Sequence, residues 1–309
     1  MVKENGLLLR VDRLKKYYRE VRAVDDISFA VPKGVIFTIL GPNGAGKTTT
    51  LEILEGIRDP DSGEIEIFGM QLKRITRTVK ERIGVLLQES NFERYLKVKE
   101  VLALFASFFQ NPRPTQAVLA QVSLEEKAEA YVKNLSGGQR QRLAIGVTLI
   151  NDPELIFFDE PTTGLDPQAR RNIWEIISSL KESGKTIILT THYMEEAEKL
   201  SDHICIMDHG KIIAAGTPRR LTAELQQETI IEFHLNDADE LELQSINNFS
   251  SGFAVEEEIV IVKSTSLVQT MDKLLRWSQE KEIPLKNMVV RQPNLEDVFL
   301  SLTGRKLRE

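Results

Sequence analysis

One short segment, Gly41 to Thr49, constrains the fold of this 309-residue chain more than any other. It reads Gly-Pro-Asn-Gly-Ala-Gly-Lys-Thr-Thr and fits the pattern GxxxxGK[ST]. An apolar run that ends at Leu40 precedes it, and a plausible helix from Lys47 to Ile57 follows it. Glycines let the backbone curl so that several N–H groups point at one anion, at a helix N-terminus that already favours negative charge. The segment therefore predicts a phosphate-binding loop between a strand and a helix.

Two side chains of this loop are suited to nucleotide chemistry. Lys47 can reach the β- and γ-phosphates, and Thr48 can place its hydroxyl on Mg²⁺. A glycine-rich turn that carries a surface lysine is the alternative, and the position between strand and helix disfavours it. The predicted nucleotide contacts of the loop are Gly41, Pro42, Asn43, Gly44, Ala45, Gly46, Lys47, Thr48 and Thr49.

A second apolar strand, Leu155 to Phe158, ends in the two carboxylates of Asp159 and Glu160. We interpret Asp159 as a Mg²⁺ ligand, directly or through water, and Glu160 as the group that polarises the water attacking the γ-phosphate. An ordinary acidic turn is the alternative for the motif alone. Its occurrence beside a phosphate loop favours the catalytic interpretation.

A second anion-binding segment follows the pattern Leu-Ser-Gly-Gly-Gln. A serine hydroxyl and glycine N–H groups at the start of a helix suit a phosphate as the first loop does. Taken alone, such a segment is more often a turn and helix cap. Together with the phosphate loop it predicts a second phosphate contact, formed by Ser136, Gly137, Gly138 and Gln139.

Short strands alternate with helices through the first two thirds of the chain, which indicates an α/β fold with a parallel sheet. We predict a large α/β domain over residues 1–220 with a helical insertion at about 89–141, and a small α+β domain over 221–309. The apolar and β-branched runs predict strands at Val35–Leu40, Glu64–Phe68, Ile83–Leu87, Glu154–Phe158, Thr186–Thr190 and Ile204–Met207, and later at Thr229–Leu235, within Phe253–Lys263 and at Leu285–Arg291.

Charge and hydropathy argue against nucleic acid as a partner and against a membrane-spanning segment in this chain. The chain has 40 Lys and Arg against 46 Asp and Glu, a formal charge of −6, so no overall basic field is present to bind nucleic acid. The longest near-apolar stretch, Val101 to Phe109, is far shorter than the about 20 residues that a membrane-spanning helix needs. The N-terminal residues lack the apolar run of a signal peptide. We expect a cytoplasmic chain, and any membrane function requires a separate membrane-spanning chain.

The complete, ordered motif set resembles the nucleotide-binding subunit of ATP-binding cassette (ABC) transporters from about Leu7 to about Pro218. The resemblance implies a P-loop NTPase cassette with a RecA-like core sheet, an antiparallel β part and an inserted helical subdomain, followed here by the small α+β domain. By this resemblance the phosphate loop is Walker A, the Ser-Gly-Gly segment is the signature, and the acidic strand is Walker B. The other positions that match are an adenine-stacking Tyr18, the Q-loop Gln88, the D-loop Asp166 and the switch His192.

The same resemblance implies ATP and Mg²⁺ as ligands and a head-to-tail dimer in which the signature acts on the partner's ATP. We expect a homodimer, with a heterodimer as the open alternative. We also expect a separate membrane permease as partner, attachment to the inner face of the membrane through that permease, and no nucleic acid. The implied catalytic residues are Lys47, Gln88, Glu160 and His192; the implied Mg²⁺ ligands are Thr48, Gln88 and Asp159; Tyr18, Asp166 and the two phosphate segments would contact the nucleotide.

The end of the chain narrows the expected subtype. Asn294 to Gly304 resembles the closing motif of the daunorubicin-resistance type of exporter ATPase, and Thr191 to Glu198 fits the same group. We therefore expect an exporter, with the last domain accessory or regulatory. Two alternatives remain open: a soluble ABC-type ATPase that acts on the ribosome or nucleic acid, and an importer ATPase.

Overall fold

The structure is a computed structural model that describes residues 6–72, 74–86, 91–223, 228–235, 243–256 and 258–303, which divide into two compact units, 6–218 and 219–303. Its strands are β1 (Leu7–Tyr18), β2 (Val21–Pro32), β3 (Ile36–Leu40), β4 (Ser62–Ile67), β5 (Met70–Leu72), β6 (Ile83–Leu86), β7 (Leu155–Asp159), β8 (Thr186–Thr191), β9 (His203–Asp208), β10 (Lys211–Gly216), β11 (Thr229–His234), β12 (Gly252–Glu256), β13 (Ile259–Ser264) and β14 (Lys286–Arg291). Its helices are α1 (Lys47–Glu55), α2 (Arg77–Lys80), α3 (Val98–Ala106), α4 (Thr115–Gln121), α5 (Gly137–Thr148), α6 (Pro167–Glu182), α7 (Met194–Leu200), α8 (Pro218–Ala223), α9 (Leu267–Glu280) and α10 (Leu295–Thr303).

A six-stranded sheet with the order β10-β9-β3-β8-β7-β6 forms the centre of the first unit. Its pairs are parallel except for β10, which runs antiparallel to β9. Strands β3, β7 and β8 are buried at every position, as expected of a sheet covered on both faces. Because these three strands are neighbours and run in the same direction, the loops at their carboxyl ends meet at one edge. The predicted α/β class and all six predicted strands of this unit are confirmed, with described ends that differ by one or two residues. Leu87, the predicted end of one strand, lies outside the described residues.

A second sheet, with the order β2-β1-β4-β5, is antiparallel. Its long β1–β2 hairpin was not among the strands predicted from the residue pattern. The β1–β2 register shifts between Val11 and Leu14, and Arg13 and Asp26 have φ angles of 48° and 63°. Such bulges interrupt the two-residue alternation by which a half-buried strand is recognised in a sequence.

Helices α3, α4 and α5, which lie between β6 and β7 in the chain, share one hydrophobic core with the β6, β7 and β8 side of the large sheet. Two aromatic residues before α3 differ in their role. Phe92 packs edge-on against Phe105 with ring centroids 6.0 Å apart, whereas Tyr95 is 69% exposed. Phe92 therefore packs the helical region, whereas Tyr95 lies exposed at its surface.

The second unit is an antiparallel sheet with the order β12-β13-β11-β14, against which α9 packs. Leu274 and Trp277 of α9 join Ile231 and Phe233 of β11 in its core. The indole N–H of Trp277 donates to Ser245 Oγ at 2.8 Å. The strands predicted in this region are observed as β11, β12, β13 and β14.

Helix α10 is joined to the sheet of the second unit by an ion cluster. Arg291 at the end of β14 donates to Asp297 Oδ2 at 2.6 Å and to Asp297 Oδ1 at 3.1 Å, and it pairs with Glu232 Oε1 at 2.7 Å. Asn294 caps the helix by accepting from the backbone N–H groups of Glu296 and Asp297, and Asp297 accepts from the N–H of Asn294. This reciprocal cap fixes the start of α10, which lies within the closing motif noted in the sequence.

We expect the substitution Arg291→Ala to lower the free energy of unfolding of the second unit by about 2–3 kcal/mol, because it leaves the carboxylate of Asp297 buried without its cation. Unfolding is followed by the fluorescence of Trp277 in a Trp174→Phe background, where it is the one remaining tryptophan. Arg276→Ala, which removes an exposed ion pair with Asp272, is the matched control and should leave the transition in place. Equal effects of the two substitutions would show that Arg291 does not stabilise the second unit by neutralising the buried carboxylate of Asp297.

Candidate functional site

The phosphate loop is held tightly against neighbouring strands at two glycines. A Cβ on Gly46 would lie 2.1 Å from the carbonyl oxygen of Ala23 in β2, and one on Gly41 would lie 2.2 Å from the carbonyl oxygen of Met207 in β9. Gly46 also has a φ of 100°, a conformation that L side chains rarely adopt, and it is the residue directly before α1. The glycine requirement read from the motif is therefore steric and conformational, and the loop ends at a helix N-terminus.

Lys47, the first residue of α1, is 4% exposed and turns back over the loop. Its ammonium donates to the carbonyl oxygen of Gly41 at 2.8 Å and to that of Pro42 at 3.2 Å. It also pairs with Glu160 Oε1 at 3.1 Å. The predicted phosphate-binding cation and the predicted base therefore neutralise each other in this arrangement.

Thr190 in β8 contacts the carboxylate of Asp159 and the backbone of Glu160 at the end of β7. Its hydroxyl donates to Asp159 Oδ1, which Thr48 Oγ1 also approaches at 3.4 Å. The backbone N–H of Glu160 is directed at Thr190, 3.0 Å from its hydroxyl oxygen and 3.2 Å from its carbonyl oxygen. Glu160 has a φ of 46°, which is strained for a residue with a side chain. The two contacts of its N–H with Thr190 hold the backbone of Glu160 in this conformation.

The carboxylate of Glu160 has three polar neighbours. Besides Lys47, Thr163 Oγ1 donates to Oε2 at 3.1 Å, and His192 Nδ1 lies 3.1 Å from the same oxygen. Burial raises the pKa of Glu160, but Lys47 and His192 outweigh it, so its pKa lies below the ordinary value. Glu160 is thus ionised at neutral pH and able to accept a proton.

Asp159 and Thr48 form a set of oxygen donors that suits Mg²⁺. This ion is usually bound by one or two carboxylates together with substrate phosphates and water, rather than by a cage of protein ligands. Burial raises the pKa of Asp159, although hydrogen bonds from Thr190 and Thr48 oppose the rise. A cation at this carboxylate would relieve that cost of burial, so these two residues fit the ion. Gln88, the third predicted ligand and a predicted catalytic residue, lies outside the described residues.

Glu55, at the end of α1, is a buried carboxyl that sequence reasoning missed. Within the described part of the chain its Oε1 atom has no hydrogen-bond partner. Burial raises its pKa from 4.5 to about 8, with further contributions from the charges of Asp159 and Glu52. No motif marks this position, because the residue stands on an ordinary helical face seven positions after Thr48.

Because the pKa of Glu55 is raised in the folded state, the protein loses stability as pH rises from the unfolded pKa towards the folded one. We expect the free energy of unfolding, relative to that of Glu55→Gln, to fall by about 2–3 kcal/mol between pH 5 and pH 7. Urea unfolding at several pH values measures this difference. Glu175→Gln, at an exposed position of α6, is the control and should track the wild type. If the free energies of unfolding of the wild type and Glu55→Gln change with pH in parallel, the pKa of Glu55 is not raised in the folded state.

The signature segment begins α5 and is separate from the residues around Lys47. Ser136 Oγ accepts from the N–H of Gln139 at 3.3 Å, and Gln139 Oε1 accepts from the N–H of Ser136 at 2.9 Å. Ser136 and Gly137 are exposed, and Gly138 lies so close to Ala169 of α6 that a Cβ there would be 2.8 Å from the Ala169 Cβ. Among the described residues, no hydrogen bond or ion pair connects this segment with the phosphate loop. The described part of one chain therefore shows no polar contact between the two predicted phosphate-binding segments.

Two further predicted nucleotide contacts occupy local structural roles. Asp166 caps α6, since its Oδ1 accepts from the N–H groups of Gln168 at 3.0 Å and Ala169 at 2.9 Å. Tyr18 ends β1, and its partly exposed ring lies 5.3 Å from the guanidinium carbon of Arg58. Their nucleotide contacts remain predictions.

The site as a whole joins Lys47, Thr48, Asp159, Glu160 and His192, all predicted from motifs, with two threonines that were not. Thr163 and Thr190 position Glu160 and Asp159. The sequence contains only a weak indication of these two roles. Thr190 lies two residues before His192 in a predicted strand, and Thr163 lies three residues after Glu160. Only the pairing of β7 with β8 shows that Thr190 and Asp159 are opposite each other.

Known proteins share this architecture and sequence. A family model described as ABC transporter matches residues 24–163. The Nod factor export ATP-binding protein I of Ralstonia nicotianae is 40% identical over 98% of this chain and 95% of its own length. The protein of that name from Rhizobium meliloti is 39% identical over 97% of this chain and 89% of its own length.

Solved structures agree with these relatives. The ADP conformation of MJ1267, an ATP-binding cassette of an ABC transporter, aligns with a TM-score of 0.63 at 26% identity over 69% of this chain and 92% of that one. The dimeric post-hydrolysis state of the cassette MJ0796, bound to ADP and Pi, aligns with a TM-score of 0.61 at 25% identity over 68% of this chain and 98% of that one. The phosphate loop, the acidic strand end and the full-length similarity lead to one conclusion: the chain belongs to the ABC transporter family, as one of its ATP-binding, ATP-hydrolysing subunits.

Proposed function

We propose that this chain powers export across a membrane, by coupling ATP-driven closure of a homodimer to a separate permease chain. One observation supports the nucleotide-dependent dimer most directly. Glu160 lies between Lys47 and His192 at the ends of adjacent parallel strands, while the exposed Ser136 makes no bond to that site. In a two-fold symmetric dimer with shared sites, each subunit must supply half of one nucleotide site. It must also present a separate, exposed phosphate contact to the partner's site.

Within this proposal the residues around Glu160 have distinct roles. The γ-phosphate of ATP competes with Glu160 for Lys47, because both are anions within reach of one ammonium. Release from Lys47 leaves Glu160 free to take a proton from the attacking water, while Thr163 and His192 keep its carboxylate oriented. His192 also contacts the γ-phosphate, and Tyr18 stacks on the adenine.

Thr48 and Asp159 are the residues that would hold Mg²⁺, with Gln88 as a proposed third ligand. The ion, when bound, neutralises charge on the phosphates. The chain's own contribution is to place a hydroxyl and a carboxylate at one point, which it does through the bond from Thr190 to Asp159. The other groups that face the nucleotide are backbone N–H groups of the loop from Gly41 to Thr49.

The partner subunit would supply the signature. Ser136 and Gly138 of one subunit, at the N-terminus of α5, face the γ-phosphate bound by Lys47 of the other, and Asp166 lies at the same junction. The related cassette MJ0796 is described as dimeric. Hydrolysis removes the charge that bridges the two subunits, and the dimer opens.

The permease is proposed as a separate chain, which holds this subunit at the inner face of the membrane. In the residues that the structure describes, no helix has the length and hydropathy to cross a bilayer. The full-length relatives are named for Nod factor export, which supports export over import and over action on ribosomes or nucleic acid. The closing motif from Asn294 supports the daunorubicin-resistance type within exporters. The domain over residues 221–309 is proposed to be accessory or regulatory.

The experiment that tests this function is purification of the Glu160→Gln form with ATP from gently solubilised membranes of its own cell, followed by mass spectrometry. Recovery of a polytopic membrane protein in fixed ratio is the expected result. Recovery of ribosomal proteins or nucleic acid in place of a membrane protein would overturn the exporter assignment in favour of the soluble alternative. Wild-type chain purified without ATP is the control for non-specific capture.

A further inference from the structure

Glu196, in the short helix α7, is a fully buried carboxylate outside the catalytic cluster. It is 0% exposed, and its Oε1 atom accepts from Thr162 Oγ1 at 2.8 Å and from the indole N–H of Trp174 at 2.9 Å. Both donors are themselves buried. A charged group in such a place usually has a specific purpose, because burying it costs more than burying an apolar side chain of the same size.

The two donors and the acceptor come from three segments that each carry a proposed site residue. Thr162 lies two positions after Glu160, Trp174 is in the helix that Asp166 caps, and Glu196 is four positions after His192. One oxygen atom therefore connects the loop of the base, the helix after the D-loop and the segment of the switch histidine. The contact from His192 to Glu160 at 3.1 Å depends on how two of these segments are placed.

Stability alone is a weak explanation for this arrangement. The second oxygen of Glu196, Oε2, has no hydrogen-bond partner among the described residues, and neither has the buried Nε atom of Arg170. Burial raises the pKa of Glu196, although the side chains of Thr191, Trp174 and Thr162 and the charge of Arg170 oppose the rise. A leucine or methionine would fill the same space without these costs. An apolar residue, however, cannot accept hydrogen bonds from two structural elements and so cannot set the distance between those elements.

We propose that Glu196 is a positioning residue for ATP hydrolysis, which holds the His192 segment in register with the Glu160 loop through the two hydrogen bonds that its Oε1 accepts. It touches no substrate and acts through His192 and Glu160, so the inference rests on the proposed roles of those two residues. Misplacement of a catalytic group by about 1 Å can reduce turnover about 100-fold without a comparable loss of binding. Glu196 therefore affects kcat and leaves the KM for ATP nearly unchanged.

The test compares ATP hydrolysis by the full chain across a small set of variants. Glu196→Ala removes the acceptor and should lower kcat about 10- to 100-fold with KM within about threefold. Glu196→Gln keeps an acceptor oxygen and should return kcat to within about threefold of the wild type. Thr162→Val and Trp174→Phe each delete one donor but keep the packing, so they should show smaller losses and decide the question if Glu196→Ala does not fold.

Glu195→Ala, at the exposed neighbouring position of α7, is the matched control and should leave kcat unchanged. The inference is overturned if the donor and acceptor variants lower the melting temperature but keep wild-type kcat, or if Glu196→Gln is as impaired as Glu196→Ala. Glu160→Gln is measured in parallel. If it retains turnover, the proposed function of the site fails and the inference falls with it; if it is inactive while Glu196→Ala is fully active, the inference alone fails.

Discussion

The Glu160→Gln variant should bind ATP, hydrolyse it about 1,000-fold more slowly than the wild type, and accumulate as a closed dimer. The amide has almost the size of the carboxylate and keeps an oxygen for the bond from Thr163, but it cannot accept a proton from water. Loss of the negative charge also frees Lys47 from its ion pair at 3.1 Å, so the phosphates of ATP meet no competitor for that ammonium. Binding should therefore be unchanged or tighter, while the chemical step fails.

Single-turnover hydrolysis and size-exclusion chromatography with and without ATP measure the two effects separately. The control is Glu154→Gln, the same substitution directly before β7, where the carboxylate pairs with Arg82. That variant should turn over at the wild-type rate and return to monomers after hydrolysis. Undiminished hydrolysis by Glu160→Gln would remove Glu160 from the role of base, and slow hydrolysis without a stable dimer would contradict the bridging role of ATP.

The central sheet could be predicted because its strands are buried on both faces and read as continuous apolar runs. The β1–β2 hairpin could not be predicted from alternation, since its bulges at Arg13 and Asp26 shift the inward-facing positions along the strand. The helix after the phosphate loop is shorter than the predicted Lys47–Ile57. It ends at Glu55 because Gly56 adopts the left-handed conformation and bonds back to the last turn.

The residues of the candidate site also fall into those that could be predicted from the sequence and those that could not. Residues within a motif, such as Lys47 and Glu160, could be predicted because loop and strand-end chemistry is local in sequence. Thr190 and Glu196 could not, since their roles depend on contacts with residues about 20 to 30 positions away that only strand pairing and helix packing create. Glu55 was missed because burial, and not its neighbours in the chain, determines its chemistry.

The head-to-tail homodimer leads to a second large effect, which appears only when two inactive variants are mixed. Lys47→Ala should weaken ATP binding about 100-fold by removing the ammonium that faces the phosphates. Ser136→Glu places a negative charge at the start of α5, where the helix dipole tolerates it but the γ-phosphate of the partner's ATP does not. Each variant alone should be almost inactive, because every site of its homodimer carries one lesion.

In a mixed dimer, both lesions fall in one site and the other site is intact. An equal mixture forms mixed dimers in half of all pairings, so about a quarter of wild-type ATPase activity should return if the sites act independently. Ser266→Glu, the same substitution at the exposed start of α9, is the control and should retain full activity by itself. Mass spectrometry must first show that the mixture contains mixed dimers. If its ATPase activity then stays at the level of the separate variants, one explanation is that Lys47 and Ser136 do not meet across the subunit interface. The other is that one intact site cannot hydrolyse ATP beside a disabled one. Nucleotide binding separates the two cases, because an intact shared site in the mixed dimer must still hold one ATP.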